Sequence, residues 1–525
     1  MPEDDHVHIN EAVPAGLLRL PTELLLGILK DLDQADLHSL SLLSRRLHNI
    51  ALPLLLARQG LPDVMSLHSG KLTLSELTFL ALPALRTALF VTSVKHLFCK
   101  FNAPDFDDLR STSIHHGWLC STGIDISNMK RFVSRLSHIE EVTLDLGRLN
   151  NWCRNNYNAS CLRELLETFT SISVKLTVNS DPHWLSRPPL SWNDSSHPTL
   201  QSVSAAPKLM ERMGALTRIG LSGLRSTKKP SANISKRSTV KNFAINAARL
   251  FQEPVLYEWT MGTLNTSHLV SLTIHISSLP QLSLGTILPQ ISIPTLREFA
   301  VNCGTSFDCL ADFLTRHRNV TALTIGNEVF HPNPSHRLPK SFLSQLTSLH
   351  AVPEFIFYLL GPSRTLPDLR YISVLSYTPI GPYIDLAVID QTLSPIMHRF
   401  QDAVISLELL VVSDNVQSVS LDALADSPLV GGSGQWLRRV TSLKLKLTAA
   451  LPAVFGGDAL HFFPSWLMAF PPSLEHVSLV GAWFASTERR ARVSLVRLIN
   501  GAYPGVRTVT LNEERRSVSA WLVGD

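Results

Sequence analysis

One phrase recurs along this chain and limits what it can fold into: an apolar residue, two residues, an apolar residue, one residue, an apolar residue. It stands at Ile139/Val142/Leu144, Leu216/Ile219/Leu221, Leu269/Leu272/Ile274, Leu296/Phe299/Val301 and Val320/Leu323/Ile325. It returns at Leu369/Ile372/Val374, Val404/Leu407/Leu409, Val440/Leu443/Leu445, Leu474/Val477/Leu479 and Val506/Val509/Leu511, with a weaker form at Val94/Leu97/Cys99. The last two apolar positions flank a residue that is usually polar, as a short half-buried strand requires. The last five copies end at 374, 409, 445, 479 and 511, spaced 35, 36, 34 and 32 residues apart. A period in this range means stacked repeats.

Helical segments lie between the copies. Phe307, Leu310, Phe313 and Leu314 fall on one helix face, and Arg316-His317-Arg318 places favourable charge at that helix's negative end. Ala491, Leu495, Leu498 and Ile499 form a similar face before Gly501, with Arg489-Arg490-Ala-Arg492 beginning the final helix. Strand, crossover and helix together make the unit of a parallel-stranded solenoid, in which each unit buries its apolar face only against its neighbours. An ordinary α/β domain with Leu-rich strands is the alternative, although ten copies are many for one doubly wound sheet. The region resembles leucine-rich repeats. It departs from them at the family's Asn or Cys, three positions after the last strand apolar, where Gly147, Leu224, Ser277, Gly304, Glu328 and Ala482 stand. The amide ladder of regular repeats is therefore expected to be missing, and irregular curvature to follow. Val506–Leu511 is expected to be the last strand, with 512–525 as a polar cap.

The N-terminal segment reads as three short helices. Pro21 suits a first helical turn, and Leu24, Ile28 and Leu32 then recur as one stripe. Asp33 is placed to cap a second helix, with Asp36 near its positive end, and Leu37, Leu40, Leu47 and Ala51 continue that helix's face. Pro53 can open a third helix, 54–58. A unit of about 40 residues rarely stabilises itself without staples or a partner. This one holds no cysteine, so a partner should cover the stripe.

These residues resemble an F-box: Leu20-Pro21-x-Glu23-Leu24, Ile28, Leu32, Asp36-Leu37, Leu40, Leu43-Ser44-Arg45 and Ile50-Ala51, in ungapped order. Leu47 is a departure, because the family often carries Trp or Phe there. The resemblance implies docking to a Skp-type adaptor and, through it, to a cullin ubiquitin ligase. It assigns adaptor binding to Leu20, Pro21, Glu23, Leu24, Ile28, Leu32, Asp36, Leu37, Leu40, Leu43 and Leu47. The expected fold is thus a mixed one, α+β or an α/β solenoid: a flexible acidic tail over 1–16, F-box helices over 17–60, a helical linker over 61–90 and an irregular repeat array over 91–525.

At 525 residues, 45% hydrophobic and 17% charged, the chain is too long for one usual core and too apolar for a disordered scaffold. A net charge of +4 is mild, and no nucleic-acid partner is expected. Cys99, Cys120, Cys153, Cys161, Cys303 and Cys309 are too few for a disulfide framework, which points to a reducing compartment. The polar N-terminus is unlike a signal peptide, and the uncharged stretch near Ile276–Leu296 is broken by Pro280, Pro289 and Pro294. A soluble protein of cytoplasm, nucleus or both is expected, without a membrane partner. The basic, Ser/Thr-rich stretch Arg225–Lys241 reads as an exposed loop.

Catalysis needs converging groups, and the sequence offers none. Gly432-Ser433-Gly434 lacks the nucleophile-elbow spacing and reads as a Gly-rich turn. No phosphate-cradling glycine loop or paired-cysteine zinc spacing occurs. His115, His116 and Cys120 supply three adjacent metal-ligand types where four are needed. Trp152, Trp184, Trp192, Trp466 and Trp483 suit recognition anchors or core packing equally. The expectation is a non-catalytic chain without cofactor or metal, a ligase substrate receptor whose repeats bind a protein target. The alternative is an interaction scaffold using the repeats without recruiting a ligase.

Overall fold

The computed structural model describes residues 19–61, 70–75, 78–101, 112–147, 156–180, 238–276, 284–326, 329–330, 338–339, 342–360, 366–377, 393–396, 398, 404–411, 439–447, 474–481, 489–512 and 514–523. Several expectations lie outside them: the tail 1–16, the strand Leu216/Ile219/Leu221, the basic residues 225–237, Gly431–Gly434, the five tryptophans named above and the side chains of His115, His116 and Cys120. The chain divides into two compact units, Met1–Trp184 with Ser238–Val374, and Leu185–Arg237 with Leu375–Asp525.

The first unit opens with three helices: α1 (Thr22–Asp31), α2 (Gln34–Ser41) and α3 (Arg45–Arg58). The second helix was expected to run on through residue 51. It ends instead at Ser41, because Ser44 takes an extended conformation and its hydroxyl accepts from Leu47 N at 3.2 Å, capping a new helix. That helix passes through Pro53 rather than starting there; the carbonyl deprived of its partner belongs to exposed Asn49, which water can reach. The helix stops at Gly60, whose φ of +84° lets Leu61 N bond back to Leu56 O at 2.8 Å.

Strands follow in order: β1 (Lys71–Leu74), β2 (Ser93–Lys100), β3 (His138–Asp145), β4 (Ser173–Asn179), β5 (Asn242–Asn246), β6 (Ser271–Ile276), β7 (Glu298–Cys303), β8 (Ala322–Ile325), β9 (Ser348–Ala351) and β10 (Tyr371–Tyr377). Each pairs with the next in parallel and without slippage. One buried row therefore runs Leu72, Leu97, Val142, Leu176, Phe243, Leu272, Phe299, Leu323, Leu349, Ile372. A second buried row, Leu74 to Val374, lies two residues on. Helices cover the apolar side. In α4 (Phe307–Arg316) Phe307, Leu310, Phe313 and Leu314 are all buried as the spacing implied, and Phe313 packs on Phe299 of β7 at 4.7 Å.

Four of these strands escaped the phrase. β1 lies inside the segment expected to be a helical linker, so the sheet begins earlier than residue 91. In β4 the first slot is Ser173, fully buried because its hydroxyl donates to Phe169 O at 2.8 Å. In β9 the last slot is Ala351, and in β5 the phrase Val240/Phe243/Ile245 is intact but overlaps the end of the basic stretch. With them, final positions 245, 274, 301, 325, 351 and 374 are 23–29 residues apart.

Of the residues at the family position, Gly147 and Gly304 are described, and polar side chains line up one residue after the second buried row. Asn246 Nδ2 donates to Asn179 Oδ1 at 2.7 Å, and Asn302 Nδ2 meets His275 Nε2 at 3.0 Å. The Asn302 side chain then lies over Gly326, where a Cβ would stand 2.1 Å from its Oδ1. Beside them Glu141 lies between His96 at 3.3 Å and Lys175 at 2.7 Å. Burial alone would raise its pKa, but the Lys175 hydrogen bond and both charges hold it below the ordinary carboxylate value.

The second unit contains β11 (Val404–Val411), β12 (Val440–Leu447), β13 (His476–Val480) and β14 (Thr508–Leu511), parallel and in order, with buried rows Leu407/Leu443/Val477/Val509 and Leu409/Leu445/Leu479/Leu511. A register irregularity between Ile405 and Ser406 puts Ile405, not Val404, in the first slot opposite Val440. β14 is not last. Glu514–Ser517 turns back as antiparallel β15, and α6 (Val518–Val523) buries Val518 and Trp521, whose indole donates to Val509 O at 3.0 Å. The C-terminal segment is thus a structured closure rather than a polar cap. Before it, α5 (Arg489–Ala502) buries Val493, Leu495, Val496 and Ile499. Both sheets are mostly parallel and flanked by helices, an α/β arrangement behind the N-terminal helices.

Candidate adaptor-docking surface

Helix α1 is apolar on two faces, and only one is used internally. Leu25 and Leu29 are fully buried, whereas Leu24 is 57% and Ile28 44% exposed. The stripe read from the spacing therefore points outward, and the inner stripe is its neighbour. Pro21 and Glu23 are exposed beside it, Leu20 and Leu32 are half-buried, and Pro21 occupies the N-cap position with its carbonyl accepting from Leu25 N.

Helix α2 starts as its residues dictate: Asp33 Oδ1 accepts from Asp36 N at 2.8 Å. Asp36 is exposed and Leu40 half-buried. Leu37 is fully buried and so is Leu47 on α3, because α2 and α3 pack on each other along those residues. These two members of the sequence-derived set belong to the domain's own core and offer no docking surface. Leu42 and Leu43, in the break between α2 and α3, are both strongly exposed.

Two arginines that the spacing did not single out hold α1 in place. Arg46 Nη2 donates to Leu20 O at 2.6 Å at one end of the helix. At the other, Arg58 donates to Leu32 O and Lys30 O, satisfying carbonyls that a helix end leaves open. Periodicity cannot reveal such bonds, since their partners are backbone atoms 26 and 28 residues away. A third missed residue is His48, buried at the start of α3. Its Nε2 accepts from Leu89 N at 3.2 Å, so Nδ1 carries the proton toward Ser41 O at 2.9 Å. Phe90 packs edge-on against the ring.

Among the described residues no group of three or more His, Cys, Asp or Glu is placed to hold a metal ion. Cys99, Cys161, Cys303 and Cys309 are not joined in disulfides among the described residues. No described helix is long and apolar enough to cross a membrane.

Residues 17–59 match the F-box-like family, a span that ends at the Gly60 stop and contains all three helices. The chain thus carries an F-box-like domain, the kind of module that binds Skp-type adaptors. A search of curated proteins found no match to the chain.

Proposed function

We propose that the chain is the substrate-receptor subunit of a Skp-cullin-F-box type ubiquitin ligase. The observation that carries the reading is the outward apolar set Pro21, Leu24, Ile28 and Leu43 on a domain that matches the F-box-like family. An exposed stripe of this kind on a helix already anchored by Leu25 and Leu29 fits a partner surface better than a free one. The ordered parallel strands act as a leucine-rich-repeat-like array that presents a protein target. Ubiquitin chemistry then resides on other subunits, and this chain contributes proximity. The chain itself is non-catalytic and works in the cytoplasm, the nucleus or both.

Co-purification tests it. The tagged full-length chain should bring down a Skp-type adaptor and a cullin, and a Leu24→Glu/Ile28→Glu variant neither. An adaptor without a cullin would favour the second reading, an interaction scaffold that recruits no ligase. Absence of the adaptor from the wild-type preparation would end the ligase reading and leave a scaffold that works through its repeats alone.

A further inference from the structure

The polar side of the second unit's sheet is defined by strand register. One row runs Ser406, Ser442, His476, Thr508, Ser517, and the next Glu408, Lys444, Ser478, Thr510, Arg515. These alternate with the buried apolar rows and so face the other way. Lys446, two residues after Lys444, shares that side. Six hydroxyls therefore stand among three cations and one carboxylate. That carboxylate, Glu408, is only 4% exposed and lies between Lys444 Nζ at 3.2 Å and Lys446 Nζ at 2.5 Å. Two ammonium groups share one anion, which leaves a positive excess. His476 Nδ1 bonds to the Thr508 hydroxyl. Arg515 is exposed and forms no ion pair among the described residues. Glu514, Arg492 and Arg516 group on the opposite, helix side.

We propose that this face holds an extended Asp/Glu-rich segment of the protein target, lying across the strands. The inference rests on the substrate-receptor reading and names the class of segment that receptor takes. Charge complementarity selects the occupant: among the described residues the face has surplus cations, hydroxyl donors and no exposed carboxylate to repel it. Its geometry sets the spacing. Lys444 and Arg515 lie three strands apart, about 14 Å at the usual ~4.8 Å between strands. An extended chain covers that distance in about four residues and points side chains i and i+4 the same way. Cations so far apart suit separate carboxylates better than one compact anion.

The test uses the full-length chain and dye-labelled peptides with glutamate at every fourth position in a Ser/Thr/Ala background. Fluorescence anisotropy should show salt-sensitive binding, and the glutamine counterpart should bind about tenfold more weakly. Arg515→Gln and Lys444→Gln should each weaken the glutamate peptide about two- to fivefold. Arg490→Gln, on the exposed face of α5, should leave it unchanged. Arg515 contributes no described ion pair to the fold, so its variant keeps the test sound if Lys444→Gln fails to fold. Equal binding of the two peptides, an Arg515→Gln chain indistinguishable from wild type, or binding only to a phosphoserine version would each overturn the proposal. A chain that binds the glutamate peptide as expected yet never retains the adaptor would uphold the surface and overturn only the ligase reading.

Discussion

Leu24 and Leu25 are adjacent leucines on one helix that should fail in opposite ways. Full burial of a Leu or Ile side chain is worth ~1.5–3 kcal/mol. With 57% of Leu24 and 44% of Ile28 still exposed, docking recovers about half from each, ~1.5–3 kcal/mol together. Leu24→Ala/Ile28→Ala should therefore weaken adaptor binding about 10- to 150-fold, while loss of the halves already buried costs only about 1 kcal/mol of folding stability apiece, partly offset by the helix propensity of alanine. Leu25→Ala removes a fully buried side chain and should cost ~2–5 kcal/mol of folding stability, lowering adaptor binding only through the unfolded fraction. Titration calorimetry against purified adaptor and thermal melts of both variants measure the two quantities. The reasoning is refuted if the double alanine binds like wild type, or if it melts as early as Leu25→Ala.

Three further outcomes follow from single contacts. Arg58→Ala frees the end of α1 without touching the exposed stripe, so adaptor affinity should fall modestly, by about two- to tenfold, while hydrogen exchange in α1 quickens. Burial holds His317 below its usual 6.5, aided by the Arg316 charge and opposed by the Phe313 carbonyl, while its Nε2 accepts from Ile293 N at 2.9 Å. Protonation thus favours the unfolded chain: stability should be full above about pH 6.5 and fall as pH drops below it, and melts of His317→Asn should show a flatter pH dependence. Ending the chain after Leu511 removes β15 and the Trp521 packing, so early melting and aggregation should appear in light scattering; Trp521→Ala alone should cost ~3–5 kcal/mol.

The strands were legible where all three slots held large apolar residues, β5 with its overlap of the basic stretch excepted, because burial on one side enforces alternation. They were illegible where a hydroxyl replaced the first apolar residue, as at Ser173, since a bond to Phe169 O lets a polar group occupy a core position. The closing strand β15 was hidden for another reason. Its residues Glu-Arg-Arg-Ser carry no apolar phrase, as an edge strand must blunt its open side with charge. In the docking domain the caps Asp33 and Ser44 could be read or suspected from residue type. Leu37 and Leu47 could not be told from Leu24, because a helix apolar on two faces gives no single moment to follow.

His48 makes the docking domain continuous with the first unit's sheet. Its ring joins the end of α2, through Ser41 O, to Leu89 N, four residues before β2 begins at Ser93. A receptor that acts by position needs such a link, since slack between the docked end and the presenting end lowers effective concentration. His48→Ala would leave a buried carbonyl and an amide without partners, at a cost of ~1–3 kcal/mol, while leaving Leu24 and Ile28 untouched. Adaptor affinity should therefore hold within about twofold, and hydrogen exchange at Leu89 and Phe90 should quicken markedly. His48→Gln, which keeps a donor and an acceptor on one side chain, should restore part of that protection. Unchanged exchange at Leu89 in the alanine variant would mean that the imidazole bridge does not couple the two parts, and the rigidity would have to come from the Phe90 contact alone.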